Sequence, residues 1–362
     1  MWRDYRMRDR KITLLGPEGT NLTLLIIFLV LNFISWLTLF TLSDGLSFDL
    51  NNSLFRQIVF TLLAVILFFA ITYISMDQIN QYTFPFFGLI TILLIFIFAT
   101  DPKEGVRRWY DLGVIDFQPS EYIKIALVLF ISKCFVENYN KVYIGAFSLF
   151  SISLVFFQPD LGTTTLLIFI TLSMLLVSDI KIRSILFLLL LGGVFFFIFL
   201  EFGLINQYQL NRVTNFFETV DFAQSQSRLA ISSGGITGQF FEADKINQIF
   251  IPVQSTDFIF SAFAYQFGFL GVLLLFGLWI FFFYRVARII LTTNSEFEKF
   301  VLAGFSASLI FQIYINISTV IGVIPVTGMP FPLLSLGGSS IIATSVIFGI
   351  INRIFIENNV VI

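Results

Sequence analysis

The sequence predicts an all-α, polytopic membrane protein. Of its 362 residues, 57% are hydrophobic and only 12% are charged, and its mean hydropathy is +0.90. An ordinary soluble domain carries about twice that charged fraction. Apolar stretches of about 20 residues recur along the chain, and this length matches the hydrocarbon core of a bilayer. The chain is therefore expected to cross a membrane many times.

Hydropathy divides the chain into about ten spans. The first follows a polar, basic stretch and is too long for the core of a cleaved signal peptide. No change of composition marks a second domain, so residues 1–362 are predicted to form one transmembrane domain. Residues 203–256 are predicted to form a large extracytoplasmic loop between helices 7 and 8. The predicted spans are 22–42, 54–74, 83–100, 120–137, 142–157, 161–177, 184–202, 257–284, 299–321 and 339–356.

The distribution of Lys and Arg predicts the orientation of the chain. Most of the 21 basic residues fall on one side when the N-terminus is placed in the cytoplasm, so both termini are predicted to be cytoplasmic. The segments rich in Gly, Pro or polar residues then all face the outside. These are the connections 101–121 and 157–163, the loop 203–256 and the segment 322–340.

Two segments repeat Phe-Gln-Pro followed closely by an acid: "FQPSEYIK" (117–124) and "FQPDLGT" (157–163). Pro favours the first helical position, and an acid in the first turn interacts favourably with the helix dipole, so two helix starts can explain the motif. Lys124 favours a functional site instead, because it lies three residues after Glu121 on the same face. A charged pair inside a membrane helix usually faces protein or a watery cavity. Glu121, Lys124 and Asp160 are therefore candidate site residues.

Asp257 stands at the start of the apolar stretch "TDFIFSAFAYQFGF" (256–269). Thr256 or Asp257 can simply cap that helix, and a role in proton transfer is the alternative. The chain contains no histidine and a single cysteine, which excludes Ser-His and Cys-His triads and the usual zinc sites. Proton transfer must then fall to a carboxylate, or less readily to Lys or Tyr.

Two glycine-rich segments have unusual composition. "GVIPVTGMPFPLLSLGGSS" (322–340) contains three prolines and four glycines. Non-helical backbone near membrane depth is tolerated where it is buried in protein or lines a cavity, so we predict a re-entrant or cavity-lining loop over a surface turn. "SSGGITG" (232–238) can bring backbone close to a phosphate, but it lacks the P-loop pattern. The outer basic residues form no dense patch, so nucleic-acid binding is not predicted.

Five ordered blocks, which together span most of the chain, resemble a known family. They are "RRWYDLGVIDFQPSEYIKIALVLFISK", "QPDLGTTTLL", "QSQSRLAISSGGITGQ", "TDFIFSAFAYQFGFLG" and "GVIPVTGMPFPLLSLGGSS". The chain is identified by them as a member of the SEDS family (shape, elongation, division and sporulation), the RodA/FtsW-type peptidoglycan polymerases. It departs from the family pattern at Ser255, Phe240 and Leu336, and none of these departures removes a charged family residue.

The resemblance implies an inverting peptidoglycan glycosyltransferase in the bacterial cytoplasmic membrane, with its active site on the extracytoplasmic side. Such an enzyme polymerises lipid II into β-1,4-linked glycan strands and releases undecaprenyl pyrophosphate. No organic cofactor is expected. A divalent cation, Mg²⁺ or Mn²⁺, can stabilise the leaving group, although the sequence shows no dedicated ligand set.

The resemblance also implies roles for individual residues. Asp257 aligns with the family's essential acid and is expected to take or position the proton of the acceptor hydroxyl. Glu121 and Lys124 align with a charged pair that organises the cavity, and Asp160 aligns with an acid that supports the pocket or helps to hold a divalent ion. Arg108 and Arg212 are candidates for neutralising pyrophosphate, because guanidinium binds phosphate oxygens bidentately. The other predicted substrate-binding or supporting residues are Arg56, Gln226, Ser227 and Ser339.

The implied partners are lipid II, the nascent glycan chain, a class B penicillin-binding protein (a transpeptidase) and other membrane proteins of the elongation complex. Short tails and a RodA-like appearance favour elongation and cell-shape maintenance over an FtsW-type role in division. Two competing interpretations are a lipid II flippase and a scaffold that only recruits the cell-wall machinery. A transporter needs polar access from both faces, whereas the distinctive segments here gather on one side.

Overall fold

Helices make up most of the described chain. The computed structural model describes residues 21–43, 45–49, 51–103, 105–113, 116–178, 193, 214, 216, 221–240 and 251–358. The helices are α1 (Leu22–Leu42), α2 (Ser53–Thr72), α3 (Met76–Phe96), α4 (Pro119–Val136), α5 (Lys141–Phe157), α6 (Leu161–Val177), α7 (Phe222–Ser233), α8 (Ile259–Thr292), α9 (Glu296–Val320) and α10 (Gly338–Glu357). A 3₁₀ turn, Ile97–Ala99, follows α3. Strands β1 (Tyr110–Asp111) and β2 (Asp116–Phe117) form a short antiparallel hairpin before α4.

Every predicted span within the described residues coincides with a helix, whereas the predicted span 184–202, apart from residue 193, and about half of the loop 203–256 lie outside them. The described residues include six helices that are long and apolar enough to cross a membrane: α1, α2, α3, α8, α9 and α10. α5 and α6 are shorter, at 17 residues each. α3 begins at Met76 rather than at the predicted residue 83, because Ser75 and Gln78 form a capping box that hydropathy does not register.

Helix α4 lies at the centre of the described molecule. α3, α6 and α9 pack against it, and α10 packs along α2. Nearly every residue of α4 is buried, including those in its first turn. Polar groups at the start of α4 are therefore surrounded by protein rather than by lipid.

Hydrogen bonds between helix termini sort these termini into two ends of the molecule. At one end, the backbone N–H of Gln118, which precedes α4, donates to Ser339 Oγ at the start of α10 (3.0 Å). At the other end, the N–H of Asn21 donates to Asn352 Oδ1 (3.0 Å), joining the start of α1 to the last turns of α10. We call the first the loop end; it contains the starts of α2, α4, α6, α8 and α10.

Helix α8 is kinked at Gly268, where φ is 62° and ψ is −165°. The turn after α7 packs backbone to backbone against this kink: the N–H of Phe269 donates to Gly235 O (2.9 Å) and that of Leu270 to Ile236 O (3.0 Å). A Cβ on Gly238 would meet the backbone of Gln266. The glycines of "SSGGITG" therefore allow close approach of two backbone segments, and this explains their presence without a phosphate.

Candidate functional site

The predicted charged pair forms at the start of α4. Lys124 Nζ lies 2.6 Å from Glu121 Oε2, and the two side chains are only 1% and 6% exposed. Pro119 occupies the start of the helix and Glu121 its first turn, so the helix-start interpretation is also correct. It does not account for Lys124. Removing two charges from water costs more than a surface pair returns, so a buried pair here indicates a requirement other than helix formation.

The second Phe-Gln-Pro motif meets the first. Asp160 is the N-cap of α6 rather than a first-turn residue. Its Oδ1 accepts from the N–H of Thr163 (3.1 Å), and its Oδ2 accepts from Thr163 Oγ1 (2.9 Å) and from Gln118 Nε2 (3.4 Å). The two motifs thus place Glu121 and Asp160 on adjacent helix starts.

Arg108 fixes the turn that carries Asp160. Its Nε donates to Gln158 O (2.9 Å), and its Nη2 donates to Pro159 O. The neighbouring indole of Trp109 donates to Gln118 Oε1 (3.2 Å). The guanidinium charge is therefore held beside the starts of α4 and α6.

Ser339 joins the β1–β2 hairpin to α10. Its Oγ accepts from the N–H of Gln118 (3.0 Å) and donates to Asp116 O (2.7 Å). Tyr110, in the same hairpin, donates its hydroxyl to Leu93 O (2.7 Å). Burial raises the pKa of Tyr110, so this phenol, which is protonated at neutral pH in any case, continues to donate at higher pH.

The Pro- and Gly-rich segment 322–340 is buried in its second half, as predicted for a non-surface loop, whereas Val323 and Gly328 are exposed. Met329 and residues 331–335 are buried. Gln57 of α2 donates to Ser335 O (3.3 Å). On its other side the segment contacts α6, since a Cβ on Gly162 would lie 2.9 Å from Thr327 O. The non-helical part of this segment, which ends where α10 begins at Gly338, thus connects α2 with α6.

Asp257 is half-buried immediately before α8. The N-cap of α8 is Phe258 and carries no side-chain cap bond, so neither Thr256 nor Asp257 occupies the N-cap position that the capping alternative gave them. The carbonyl of Asp257 accepts from Asn316 Nδ2 of α9 (2.9 Å). The same Nδ2 donates to Met329 O (2.9 Å), and therefore joins Asp257 to the segment 322–340.

Sequence reasoning missed two polar residues that organise this end. Asn316 is one of them, and its signal was an amide within the apolar stretch of a membrane helix. The other is Gln224 of α7, whose Nε2 donates to Thr319 O (2.9 Å) and to Ile324 O (2.8 Å). A glutamine in a polar helix carries no comparable signal.

The remaining predicted residues lie around the same end. Ser227 is buried on α7 and donates to Val320 O (2.8 Å), and Gln226 beside it is half-buried. Arg56 lies in the first turn of α2 with its guanidinium 5.9 Å from the ring centre of Phe60. Arg212 lies outside the described residues.

The described residues do not fit a dedicated divalent-metal site. They contain no group of three or more Asp, Glu, Cys or His side chains that could hold a metal ion. Asp160, the acid predicted to help hold a cation, already accepts three hydrogen bonds from protein donors. A cation bound mainly by pyrophosphate would not require such a group.

The family model of the FtsW, RodA and SpoVE cell cycle proteins matches residues 20–360, which is almost the whole chain. The chain belongs to this family. The resemblance in the five sequence blocks is therefore confirmed, and SEDS is the name used for the family below.

Individual SEDS relatives match over most of their length. The chain is 33% identical to the probable peptidoglycan glycosyltransferase FtsW of Haemophilus influenzae over 321 residues, which cover 84% of this chain and 81% of the relative. It is 31% identical to the peptidoglycan glycosyltransferase MrdB of Helicobacter pylori over 314 residues, 83% of this chain and 82% of the relative.

Two solved structures are also similar. The crystal structure of the rod shape determining protein RodA of Thermus thermophilus matches with a TM-score of 0.70 and 25% identity, over 95% of this chain and 99% of that one. A chain from a peptidoglycan synthase complex described as coordinating polymerization and crosslinking matches with a TM-score of 0.76 and 25% identity, over 94% of this chain and 99% of that one.

Proposed function

We propose that this chain is a peptidoglycan glycosyltransferase that polymerises lipid II, with Asp257 as the catalytic carboxylate. Membership of the SEDS family, with relatives named peptidoglycan glycosyltransferases, supports the activity. The observation that carries the assignment is a half-buried acid outside the N-cap position of α8. Asn316 joins the backbone of this acid to the segment 322–340, and that segment contacts the start of α6, which Asp160 caps.

The reaction needs one base and one displacement. The 4-hydroxyl oxygen of the incoming lipid II attacks the anomeric carbon of the growing chain from the side opposite the pyrophosphate. The new C–O bond forms as the bond to undecaprenyl pyrophosphate breaks, its electron pair stays on the leaving phosphate oxygen, and the configuration inverts from α to β. The hydroxyl proton moves to the Asp257 carboxylate, which is general base catalysis without a covalent intermediate.

The surrounding charges have supporting roles. The buried Glu121–Lys124 pair fixes the start of α4 without adding net charge. The Arg108 guanidinium, held by two carbonyls, provides a fixed positive charge that favours an anionic pyrophosphate at the loop end. Binding of pyrophosphate by Arg212 stays a prediction, and so does a divalent cation carried with the leaving group.

The proposed setting is the extracytoplasmic side of the bacterial cytoplasmic membrane, where the loop end faces outward and both termini face the cytoplasm. A role in elongation with a class B penicillin-binding protein is favoured. The fold shared with RodA supports elongation, and the similarity to a chain of a polymerizing and crosslinking complex supports the transpeptidase partner. An FtsW-type division role is the alternative, because FtsW relatives match equally well.

The test is polymerisation of purified lipid II by Asp257→Ala and Asp257→Asn. Loss of the base is expected to lower the rate by about 100-fold or more, whereas both variants should insert and fold normally. Asp111→Asn is the matched control: this exposed acid of the same end accepts from the N–H of Gly113, a bond that Asn retains. Near wild-type rates in either Asp257 variant would refute the assignment.

The flippase alternative is distinguished in proteoliposomes by measuring polymerisation and lipid II translocation separately. The glycosyltransferase proposal predicts glycan strands with no accelerated translocation. Translocation without polymerisation would refute it. A pure scaffold predicts normal growth of cells that carry Asp257→Ala at unchanged protein levels, whereas the proposal predicts loss of wall synthesis.

A further inference from the structure

We propose that Asn316 is a positioning residue for catalysis, which orients the peptide of Asp257 and thereby its carboxylate. This inference rests on the proposed function of Asp257. Asn316 lies near the end of α9 and is only 1% exposed. Its Nδ2 is 2.9 Å from Asp257 O and 2.9 Å from Met329 O, so one amide group connects the acid to the buried part of the segment 322–340.

The chemistry of the neighbours determines the orientation of this amide. Both contacting groups are backbone carbonyls, which can only accept hydrogen bonds. Only the NH₂ group of Asn316 can satisfy them, because its oxygen would repel both. A single side chain therefore supplies two donors to two acceptors at a buried position, where an unmatched carbonyl is costly.

The bond to Asp257 completes a series that holds residues 255–257. The carbonyls of these three residues each accept one hydrogen bond from α9 or from the segment 322–340. The donor and acceptor pairs are Leu336 N to Ser255 O (2.9 Å), Ser335 Oγ to Thr256 O (2.6 Å) and Asn316 Nδ2 to Asp257 O (2.9 Å). The orientation of each peptide plane in this stretch is therefore fixed by a specific donor.

Asp257 lies before the N-cap of α8, which is Phe258. The helix therefore does not fix the backbone of Asp257. Rotation of the peptide that follows Asp257 changes the direction in which its Cα–Cβ bond points. A displacement of about 1 Å at a reacting group can cost about 100-fold in rate. Removal of the amide should therefore slow the chemical step without weakening lipid II binding, because Asn316 is buried behind Asp257 and Met329.

The test compares Asn316→Leu and Asn316→Ala with wild type under the conditions in which the wild type polymerises lipid II. Both variants lack the donor; Leu keeps most of the volume, and Ala is the smaller side chain. We expect kcat to fall by about 10- to 100-fold, with KM for lipid II within about twofold of wild type.

Gln312→Leu is the matched control, since Gln312 is also an amide, lies one turn earlier on α9 and is also 1% exposed. It should keep the wild-type kcat. Ser335 lies outside α9, and Ser335→Ala removes its hydrogen bond to Thr256 O. This variant should also lower kcat at constant KM, by a smaller factor. If neither Asn316 variant is recovered folded, the kcat of Ser335→Ala tests whether these backbone hydrogen bonds position Asp257.

The outcomes separate this inference from the proposed function. Absence of polymerisation by the wild type, or a normal rate for Asp257→Asn, would refute the proposed function. An inactive Asp257→Asn together with folded Asn316 variants at wild-type kcat would overturn the positioning role alone. So would a raised KM at unchanged kcat, or a loss of kcat in Gln312→Leu equal to that in Asn316→Leu. Normal kcat in Ser335→Ala overturns it when that variant is the only one recovered.

Discussion

Glu121 and Lys124 form an ion pair that is almost completely buried, and this determines what their substitution should do. Glu121→Gln leaves the Lys124 ammonium buried without its countercharge, and a buried charge that loses its partner costs about 3–5 kcal/mol. We expect a loss of that order in the free energy of unfolding, measured by denaturation in detergent. The double variant Glu121→Gln/Lys124→Met should recover most of the stability, because no unpaired charge remains.

The pair Glu296–Lys299 provides the control, with the same spacing and a 2.7 Å distance but with side chains 61% and 35% exposed. Glu296→Gln should change stability by less than about 1 kcal/mol. Equal losses in Glu121→Gln and Glu296→Gln would contradict the assigned burial. If the double variant is stable but inactive, the charges of the pair serve the reaction and not only the fold.

Single residues also show where sequence reasoning ends. The pairing of Glu121 with Lys124 was predictable, because helical spacing alone brings them together. The bond from Gln118 to Asp160, 42 positions apart, depends on the packing of α4 against α6, which no local rule specifies. Asn316 was recognisable as a polar group in a membrane helix, but its two acceptors come from other elements and were not predictable.

Among the elements, helix starts were more predictable than the kink in α8. Pro119 marks the start of α4 within one residue of the prediction, and Ser75 with Gln78 marks the start of α3 by a pattern that hydropathy overlooks. The conformation of Gly268 has no such local cause. It exists because the turn after α7 accepts backbone hydrogen bonds there, and this contact joins segments about 30 residues apart in the sequence.

The contact between the α7 turn and the α8 kink predicts a difference between two neighbouring glycines. Gly235 and Gly238 both have positive φ, at 58° and 80°, but only at Gly238 would a Cβ meet other backbone. Gly235→Ala should therefore cost only the left-handed strain of about 1–2 kcal/mol. Gly238→Ala should cost more, because the turn must also separate from α8.

Thermal unfolding of the two variants in the same detergent measures this difference. A larger fall in the unfolding temperature for Gly238→Ala than for Gly235→Ala is expected. Gly277→Ala provides a further control, since a Cβ there meets nothing within 4 Å and its φ is not positive. Equal effects of Gly235→Ala and Gly238→Ala would show that α7 does not pack against the kink as described.

Considered as a whole, the described molecule is polarised. The loop end contains the acids Glu121 and Asp160, the β1–β2 hairpin, α7 and the segment 322–340. The opposite end is joined by contacts such as that of Lys133 Nζ with Asn80 O (2.6 Å). This gathering was predictable from the alternation of spans along the chain, because an odd or even helix number determines the side on which each connection lies. The contacts between the connections were not predictable, since they depend on how the helices are arranged around α4.

Polarity of this kind makes the orientation of the protein in the membrane decisive, because the proposed polymerisation requires the loop end to lie outside the cytoplasm. Cys134 is the only cysteine in the sequence and is buried, so Cys134→Ser provides a background without reactive thiols. In right-side-out vesicles, a membrane-impermeant maleimide should label Leu112→Cys and Val323→Cys, whose native residues are 66% and 59% exposed at the loop end. It should not label Tyr73→Cys or Leu291→Cys at the opposite end, 57% and 84% exposed, until the vesicles are permeabilised. The reverse pattern would place Asp257 in the cytoplasm and exclude polymerisation of lipid II at the loop end.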